Sequence, residues 1–307
     1  MYIIAENIHI ISSKVKAAIA EKNARFFQDM AVRLVEAGAD AIDLNIGPQK
    51  KAGHEILPWL VETVEQVVDV PLVFDTTNLM AIEAACETVT KAQPIINSTD
   101  AREERLQTVP AVAKKFNTRL IALTMAEGTI PVKADERVSI ALEKLIPHML
   151  EIDFPITDLI IDPLVLTVSG CQEYCPECIE AVRTLKFAWD PPPLTNGGLS
   201  NVSNQVPSEM RPLLNRTYMV MLMGAGVDIV IADPLDRELR EWIRIVEERD
   251  ESTALGRLLL RLHDRVAAME ELQPEDVDFG DPQQVDVWKT VQVLLNKVIY
   301  TDSYLRL

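Results

Sequence analysis

The stretch Gly197-Gly198-Leu199-Ser200-Asn201-Val202-Ser203-Asn204 places small, hydrogen-bonding side chains where a strand should end and a helix begin. The same arrangement recurs along the chain, because short apolar, β-branched runs end repeatedly in a carboxylate or an amide. These residues are Asp43 and Asn45, Asp75, Asn97, and Asp162. The spacing of these segments fits a repeated strand-helix unit.

Strands are predicted at residues 2–5, 41–46, 71–75, 94–97, 119–124, 158–162, 194–199 and 228–232. Helical periodicity lies between them, for example in Phe27, Ala31 and Leu34 before Gly38, and after Asn78, which has the position of a helix N-cap. Strict alternation indicates a parallel sheet with helices outside it, and eight units close into a (β/α)₈ TIM barrel. A doubly wound open sheet is the alternative, but the glycine-rich dinucleotide fingerprint does not follow the first strand.

The carboxyl ends of barrel strands all face one opening, so polar residues distant in sequence converge there. We therefore expect one cavity to be lined by Glu6, Asn7, Asp43, Asn45, Asp75, Asn97, Asp162, Asn201 and Asp233. For any single position the alternative is a helix cap or a turn. Because a polar residue recurs at the end of several predicted strands, a polar pocket is favoured.

Composition limits the function classes. A chain of 307 residues suits two ordinary domains or one large barrel, and the alternation favours the barrel. The net charge of −17 and the lack of clustered Lys and Arg argue against nucleic-acid binding. No run reaches the roughly 18 apolar residues of a membrane span, and residues 1–6 resemble a strand rather than an export signal, so a cytoplasmic protein is expected.

The chain continues beyond the eighth predicted strand. We predict a barrel over residues 1–246, a helical insertion with an acidic linker over 247–285, and a C-terminal helix over 286–307 that completes the barrel. The insertion carries apolar residues at helical spacing and is expected to pack on the barrel exterior or on a partner.

Several motifs in this order resemble those of the methyltetrahydrofolate:corrinoid (iron-sulfur) protein methyltransferases, a group of the pterin-binding family that includes dihydropteroate synthase and the folate domain of cobalamin-dependent methionine synthase. The resemblance covers residues 1–246 and resumes at the chain's end. The motifs are Ala41-Ile42-Asp43-Leu44-Asn45-Ile46-Gly47-Pro48, Phe74-Asp75-Thr76-Thr77-Asn78, Ile96-Asn97-Ser98-Thr99, Ile161-Asp162-Pro163-Leu164, Gly198-Leu199-Ser200-Asn201-Val202-Ser203, Leu294-Leu295-Asn296 and Tyr300-Thr301-Asp302-Ser303.

The resemblance implies a methyltransferase acting between N5 of 5-methyltetrahydrofolate and the cobalt of a corrinoid (cobalamin) carried by a partner protein, with Co(I) as the nucleophile. It also implies a homodimer, while the spacing of the residues themselves predicts no metal held by this chain. Asp75, Asn97 and Asp162 would anchor the pterin ring, whose edge alternates donors and acceptors. Asp43 and Glu6 would either contact the ligand or hold neighbouring loops.

By the same resemblance Asn201 would lie near N5 and stabilise the positive charge that develops there. Asn204 and Arg211 would complete that network or bind the folate tail, or else be a helix start with a surface arginine. Two departures from the family pattern stand out: Asn7 follows Glu6 where relatives usually carry Arg, and residues 247–285 are inserted.

Other interpretations stay open. Cys171, Cys175 and Cys178 have the spacing of a radical-SAM iron-sulfur site, although unpaired cytosolic thiols are the preferred explanation. A dihydropteroate synthase-like enzyme is one alternative, but this chain lacks the basic residues that such an enzyme needs after Asn201. A non-catalytic subunit that binds folate without turnover is another. The four histidines, at positions 9, 54, 148 and 263, have no metal-ligand spacing.

Overall fold

The computed structural model describes residues 1–127 and 130–306, and within them eight parallel strands close into a barrel, each paired with the next and the last with the first. The strands are β1 (Tyr2–His9), β2 (Ala41–Asn45), β3 (Leu72–Asp75), β4 (Ile95–Asp100), β5 (Arg119–Leu123), β6 (Leu159–Asp162), β7 (Leu194–Gly198) and β8 (Ile229–Ala232). The predicted (β/α)₈ TIM barrel is confirmed.

Helices surround this barrel. They are α1 (Ser13–Ala20), α2 (Ala24–Glu36), α3 (Gly53–Glu65), α4 (Leu79–Thr88), α5 (Glu103–Lys115), α6 (Ala134–Ile140), α7 (Ile146–Glu151), α8 (Val168–Cys171), α9 (Tyr174–Ala188), α10 (Arg211–Ala225), α11 (Arg237–Glu248), α12 (Ala254–Ala267) and α13 (Pro282–Leu294). A π-helical turn, Ala141–Leu145, joins α6 to α7, and 3₁₀ turns cover Ile156–Asp158, Leu199–Ser203, Pro274–Asp276 and Tyr304–Arg306. None of the helices in these described ranges has the length and apolar character needed to cross a membrane.

Local sequence accounts for several helix ends. The side chain of Asn78 accepts a hydrogen bond from the backbone N–H of Ala81, so Asn78 is the N-cap of α4 as predicted. Helix α2 ends just before Gly38, whose φ of +91° suits a residue without a Cβ.

The barrel interior is built from two layers of side chains. The lower layer is apolar and consists of Ile4, Ala41, Val73, Ile95, Ile121, Ile160 and Ile229, with Leu194 packed against it. Side chains alternate along a strand, so the residue two positions further on faces the same interior. Those residues are Glu6, Asp43, Asp75, Asn97, Leu123, Asp162, Asn196 and Ile231. Most of this upper layer is polar, and it lies towards the carboxyl ends of the strands.

Two strands run further than predicted, and each carries one extra residue in the added stretch. Strand β1 shifts register against β2 between Ala5 and Ile8, and β4 shifts against β5 between Asn97 and Thr99. Such bulges let pairing continue past a polar stretch that otherwise indicates a strand end. As a result β1 reaches His9 rather than residue 5, and β4 reaches Asp100 rather than residue 97.

The chain after β8 packs on the barrel exterior. Helix α12 has the predicted amphipathic character, buries Leu258, Leu259 and Leu262, and contacts α10 and α11. Helix α13 contacts α10, begins after the N-cap Asp281, and ends at Leu294. It is shorter than the helix predicted to reach residue 307, because Asn296 adopts a left-handed φ of +57° that ends helical geometry. The division at residues 246 and 285 stays a prediction.

Candidate active site

A cavity of about 310 Å³ opens at the carboxyl ends of the strands. It is lined by Glu6, His9, Asp43, Asn45, Asp75, Asn97, Ser98, Leu123, Asp162, Leu164, Val165, Gly198, Asn201 and Ile231. The barrel brings together seven of the residues that the sequence predicts for this cavity: Glu6, Asp43, Asn45, Asp75, Asn97, Asp162 and Asn201.

Asp43, Asn45 and Asp75 form one linked group on neighbouring strands. Asn45 Nδ2 donates to Asp75 Oδ2 at 2.5 Å. Asp43 is almost wholly buried, and its Oδ1 has no partner among the described residues. Burial raises the pKa of Asp43 well above its ordinary value, and the nearby charges of Asp75 and Glu6 raise it further. Burial also raises the pKa of Asp75 to about 6, against the lowering effect of its hydrogen bonds with Asn45 and Asp43.

Asp162 is fixed through both of its carboxylate oxygens. The backbone N–H of Leu164 donates to Oδ1 at 2.7 Å, and Asn196 Nδ2 donates to Oδ2 at 2.6 Å. Burial raises the pKa of Asp162 to about 6, although these bonds and the charge of Arg137 lower it. The guanidinium of Arg137 donates to the carbonyls of Pro163, at 2.8 Å, and Leu164, at 3.1 Å, so the loop after Asp162 is held from behind.

Sequence reasoning missed Asn196, which is fully buried and whose Oδ1 has no partner among the described residues. A signal was present, because Asn196 stands two residues after Leu194 just as Asp162 stands two residues after Ile160. A fully buried amide needs a hydrogen-bonding partner. Asp162 is that partner.

Asn201 lies at the rim of the cavity, in the 3₁₀ turn Leu199–Ser203. Its Oδ1 accepts from Asn204 Nδ2 at 3.1 Å, and its own Nδ2 donates to no other described residue. A Cβ on Gly198 would lie 2.9 Å from Asn201 Nδ2, so a glycine is needed for the amide to sit where it does. Asn97 makes no side-chain hydrogen bond to the described residues and faces the same cavity.

A second cavity of about 410 Å³ adjoins the first. It is lined by Glu6, Asn7, His9, Ile11, Ser12, Ser200, Asn201, Asn204, Arg211 and Asp233. Glu6, His9 and Asn201 line both cavities and therefore stand at their junction. Asn204 and Arg211, predicted as site residues, lie here, and Arg211 Nε donates to Ser203 Oγ at 3.3 Å.

Two of the residues predicted to line this single cavity do not line it in the structure. Asn7 and Asp233 line the second cavity only, where Asn7 Nδ2 donates to Asp233 Oδ1 at 2.8 Å. Asn7 directly follows Glu6 and Asp233 follows the end of β8, so neither occupies an interior strand position. His9, which the sequence reasoning considered only as a metal ligand, reaches the junction because of the bulge in β1.

Comparison with known proteins identifies the family. Residues 12–233 match the family model described as pterin binding enzyme. The chain belongs to this family. The match covers most of the chain, and the family resemblance carried by the sequence motifs is thereby confirmed.

The chain is also similar in sequence to two curated proteins. The chain is 26% identical over 244 residues to the methylcorrinoid:tetrahydrofolate methyltransferase of Eubacterium limosum, covering 78% of this chain and 87% of that protein. It is 27% identical over 242 residues to the methionine synthase of Mycobacterium leprae, covering 74% of this chain but only 20% of that much longer protein.

Two solved structures share the fold of this pterin-binding barrel. The dihydropteroate synthase of Yersinia pestis superimposes with a TM-score of 0.58 at 19% identity, covering 81% of this chain and 91% of that one. The dihydropteroate synthase of Coxiella burnetii, solved with pteroic acid, superimposes with a TM-score of 0.53 at 16% identity, covering 81% and 93%. At these identities the likeness concerns the fold alone.

The cysteine triplet lies outside the two cavities. Cys175 and Cys178 are fully buried in the apolar cluster around α9 and α10. Burial raises the pKa of the Cys178 thiol to about 11 and that of Cys175 further. Both side chains pack among apolar neighbours in the manner of small apolar residues. Among the described residues no group of His, Cys, Asp and Glu is arranged to hold a metal ion.

Proposed function

We propose that this protein transfers a methyl group between N5 of 5-methyltetrahydrofolate and the cobalt of a corrinoid carried by a partner protein. The observation that carries the proposal is the layer of hydrogen-bonding groups from Asp75, Asn97 and Asp162 inside the barrel mouth, with the Asn201 amide at its rim. The similarity to the Eubacterium limosum methyltransferase over most of both chains supports the same reaction class.

The donor and acceptor groups of the cavity fit a pterin ring. The edge of the ring presents N–H and amine donors beside a carbonyl and ring-nitrogen acceptors. The carboxylates of Asp75 and Asp162 can accept from those donors, and the Asn97 amide can donate and accept at once. Neither carboxylate has a cation bonded to it in the described chain, so a ligand that brings N–H donors would meet free acceptor capacity. The cavity volume lies within the roughly 300–1,000 Å³ typical of ligand pockets.

Asn201 is the residue we assign to the reacting end. A tertiary amine nitrogen such as N5 leaves poorly, and its departure is eased by a proton or a strong hydrogen bond. The Nδ2 group of Asn201 is available as a donor, since it donates to no described residue, and the hydrogen bond from Asn204 to its Oδ1 orients the amide. The corrinoid supplies the attacking Co(I) in the forward reaction, so no nucleophilic side chain of this protein is required.

A spectroscopic methyl-transfer assay tests the proposal. Protein, 5-methyltetrahydrofolate and cob(I)alamin, free or on a corrinoid protein, would be mixed without oxygen, and methylcobalamin absorbance would be followed. We expect its appearance, and the reverse reaction with methylcobalamin and tetrahydrofolate. Calorimetry with tetrahydrofolate should show binding that Asp162→Ala abolishes, because this change also leaves Asn196 and Leu164 N–H unpaired.

The assay also distinguishes the two alternatives. Binding of tetrahydrofolate without any methyl transfer would point to a folate-binding subunit. Condensation of a pterin diphosphate with p-aminobenzoate would point to a dihydropteroate synthase, although Val202 and Ser203 stand where that reaction calls for basic residues. Absence of affinity for any reduced folate would end the proposal.

A further inference from the structure

Glu6 lies at the junction of the two cavities in the mouth of the barrel. It lines both cavities, beside Asn201. The hydroxyl of Ser200, the residue before Asn201, donates a hydrogen bond to Glu6 Oε1. Glu6 Oε2 has no hydrogen-bond partner among the described residues, so this oxygen is left for the cavity. A carboxyl group so placed adjoins both the proposed N5 position and the second, more open cavity.

The charges around Glu6 come from several elements. Asp233, after β8, accepts from the neutral amide of Asn7, so the contact leaves its negative charge in place. Asp43 on β2 shares the first cavity with Glu6, and Arg211 on α10 is the cation of the second cavity. His9 Nδ1 accepts from the backbone N–H of Ile11 at 3.1 Å, and burial lowers the pKa of His9, so this ring is neutral at neutral pH.

We propose that Glu6 is the group that exchanges a proton with N5 during methyl transfer, and that Asn7 tunes it by leaving the charge of Asp233 uncompensated. The inference rests on the proposed methyl transfer and adds a proton source to it. Burial raises the pKa of Glu6 to about 7; the charge of Asp233 adds to this, while the Ser200 hydrogen bond and the charge of Arg211 act against it. A general acid works best with a pKa close to the working pH.

In transfer from methyltetrahydrofolate, the bond between the methyl carbon and N5 breaks and its electron pair stays on N5, which takes the proton of the Glu6 carboxyl. The methyl carbon bonds to cobalt through the electron pair of Co(I). The Glu6 carboxylate regains a proton from solvent through the second cavity. In the reverse direction N5 loses its proton to the Glu6 carboxylate as the methyl group arrives.

The test combines kinetics and spectroscopy on the full chain. In single-turnover methyl transfer from methyltetrahydrofolate, the wild-type rate should fall as pH rises through about 7, because the acid form of Glu6 is lost. Glu6→Gln should be slower at pH 6 by roughly 100-fold, the lower end of the usual contribution of general acid catalysis, and should lose this pH limb. Asn7→Arg should move the limb to lower pH by about one unit, because a cation beside Asp233 favours the ionised form of Glu6.

Infrared difference spectra give a readout independent of turnover. A protonated carboxyl band that is absent in Glu6→Gln should titrate near pH 7 in the wild type and at lower pH in Asn7→Arg. Glu275→Gln removes the same charge from an exposed position far from the mouth and should behave as the wild type.

The outcomes separate this inference from the function on which it rests. Methyl transfer with an unchanged pH limb in Glu6→Gln, or a Glu6 band already lost at pH 5, would overturn the role of Glu6 alone. A pH limb that Asn7→Arg does not move would overturn the role of Asn7. A wild-type protein that neither binds tetrahydrofolate nor forms methylcobalamin would overturn both the function and the inference.

Discussion

Two carboxylate-rich regions of the molecule differ in what their acidic groups touch. On the outer face formed by α11 and α12, the carboxylates meet arginines: Arg249 contacts both oxygens of Asp264 at 2.6 Å, and Arg265 contacts Asp276. The Arg249 hydrogen bond lowers the pKa of Asp264 to about 2. In the barrel mouth the carboxylates meet amides, a hydroxyl and a backbone N–H, and their pKa values are raised.

This difference separates a ligand site from a solvated surface. Exposed ion pairs gain little, since water already solvates both partners. Buried carboxylates without a cation are costly, and a protein tolerates that cost where a ligand supplies the missing donors. The contrast therefore supports the proposal that the mouth is the ligand site, and it does so without reference to any relative.

The largest effect is expected from removing the neutral hydrogen-bond donor at the rim of the mouth. Asn201→Ala should raise the barrier to methyl transfer by about 2–4 kcal/mol, the usual effect of losing one transition-state hydrogen-bond donor. Single-turnover formation of methylcobalamin measures the rate, and calorimetry with tetrahydrofolate should show a much smaller change in affinity.

Asn204→Ala is the matched control for this substitution. It removes the amide that donates to Asn201 Oδ1 but leaves Asn201 itself in place. We expect at most about a tenfold slower transfer, because one exposed neutral hydrogen bond contributes roughly 1 kcal/mol. A wild-type rate in Asn201→Ala would remove this residue from the mechanism.

The two regions should also respond to pH with opposite signs. The folded-state pKa values of Asp75 and Asp162, about 6, lie above their unfolded values, so the folded protein binds more protons. Their contribution to the free energy of unfolding is full below pH 4 and is lost as pH rises through 6. Asp264, with a lowered pKa of about 2, contributes above pH 4 and loses that contribution as pH falls through 2.

Urea unfolding of the ligand-free protein from pH 4 to 8 measures the first of these effects. Asp43→Asn removes one buried carboxylate from the mouth and should raise the free energy of unfolding at pH 8 by about 1–3 kcal/mol, while weakening folate binding. Stability that rises steadily from pH 5 to 8 in the wild type would contradict the raised pKa values of the mouth.

The smallest effect is expected on the outer face. Arg249→Gln removes the exposed partner of Asp264 and should change the free energy of unfolding by at most about 1 kcal/mol, less at high salt. Methyl transfer should be unchanged. A loss of several kcal/mol in urea unfolding would show that this surface carries stability after all, and the contrast with the mouth would fail.

Particular residues show how far sequence reasoning reached. Asp43, Asp75, Asn97 and Asp162 follow short apolar runs, and this local pattern was enough to place them towards the carboxyl ends of their strands, although β2 and β4 continue past Asp43 and Asn97. The pattern did not indicate His9, because the bulge that brings His9 to the cavity it shares with Glu6 is defined only by the pairing of β1 with β2. The pattern did not indicate Asn196 either, because its partner Asp162 lies 34 residues away on a neighbouring strand.

The repeat of strands and helices is already encoded in the amino-acid sequence, and so is the pattern of a polar residue two positions after an apolar interior one. Both follow from local chemistry, since side-chain alternation and helix caps depend on neighbours in the chain. The pairing of polar groups by hydrogen bonds, their grouping in one cavity and the lack of a cation beside them arise only in the folded chain. Those properties depend on distances across the closed barrel and on burial, and neither exists until the eight strands have met.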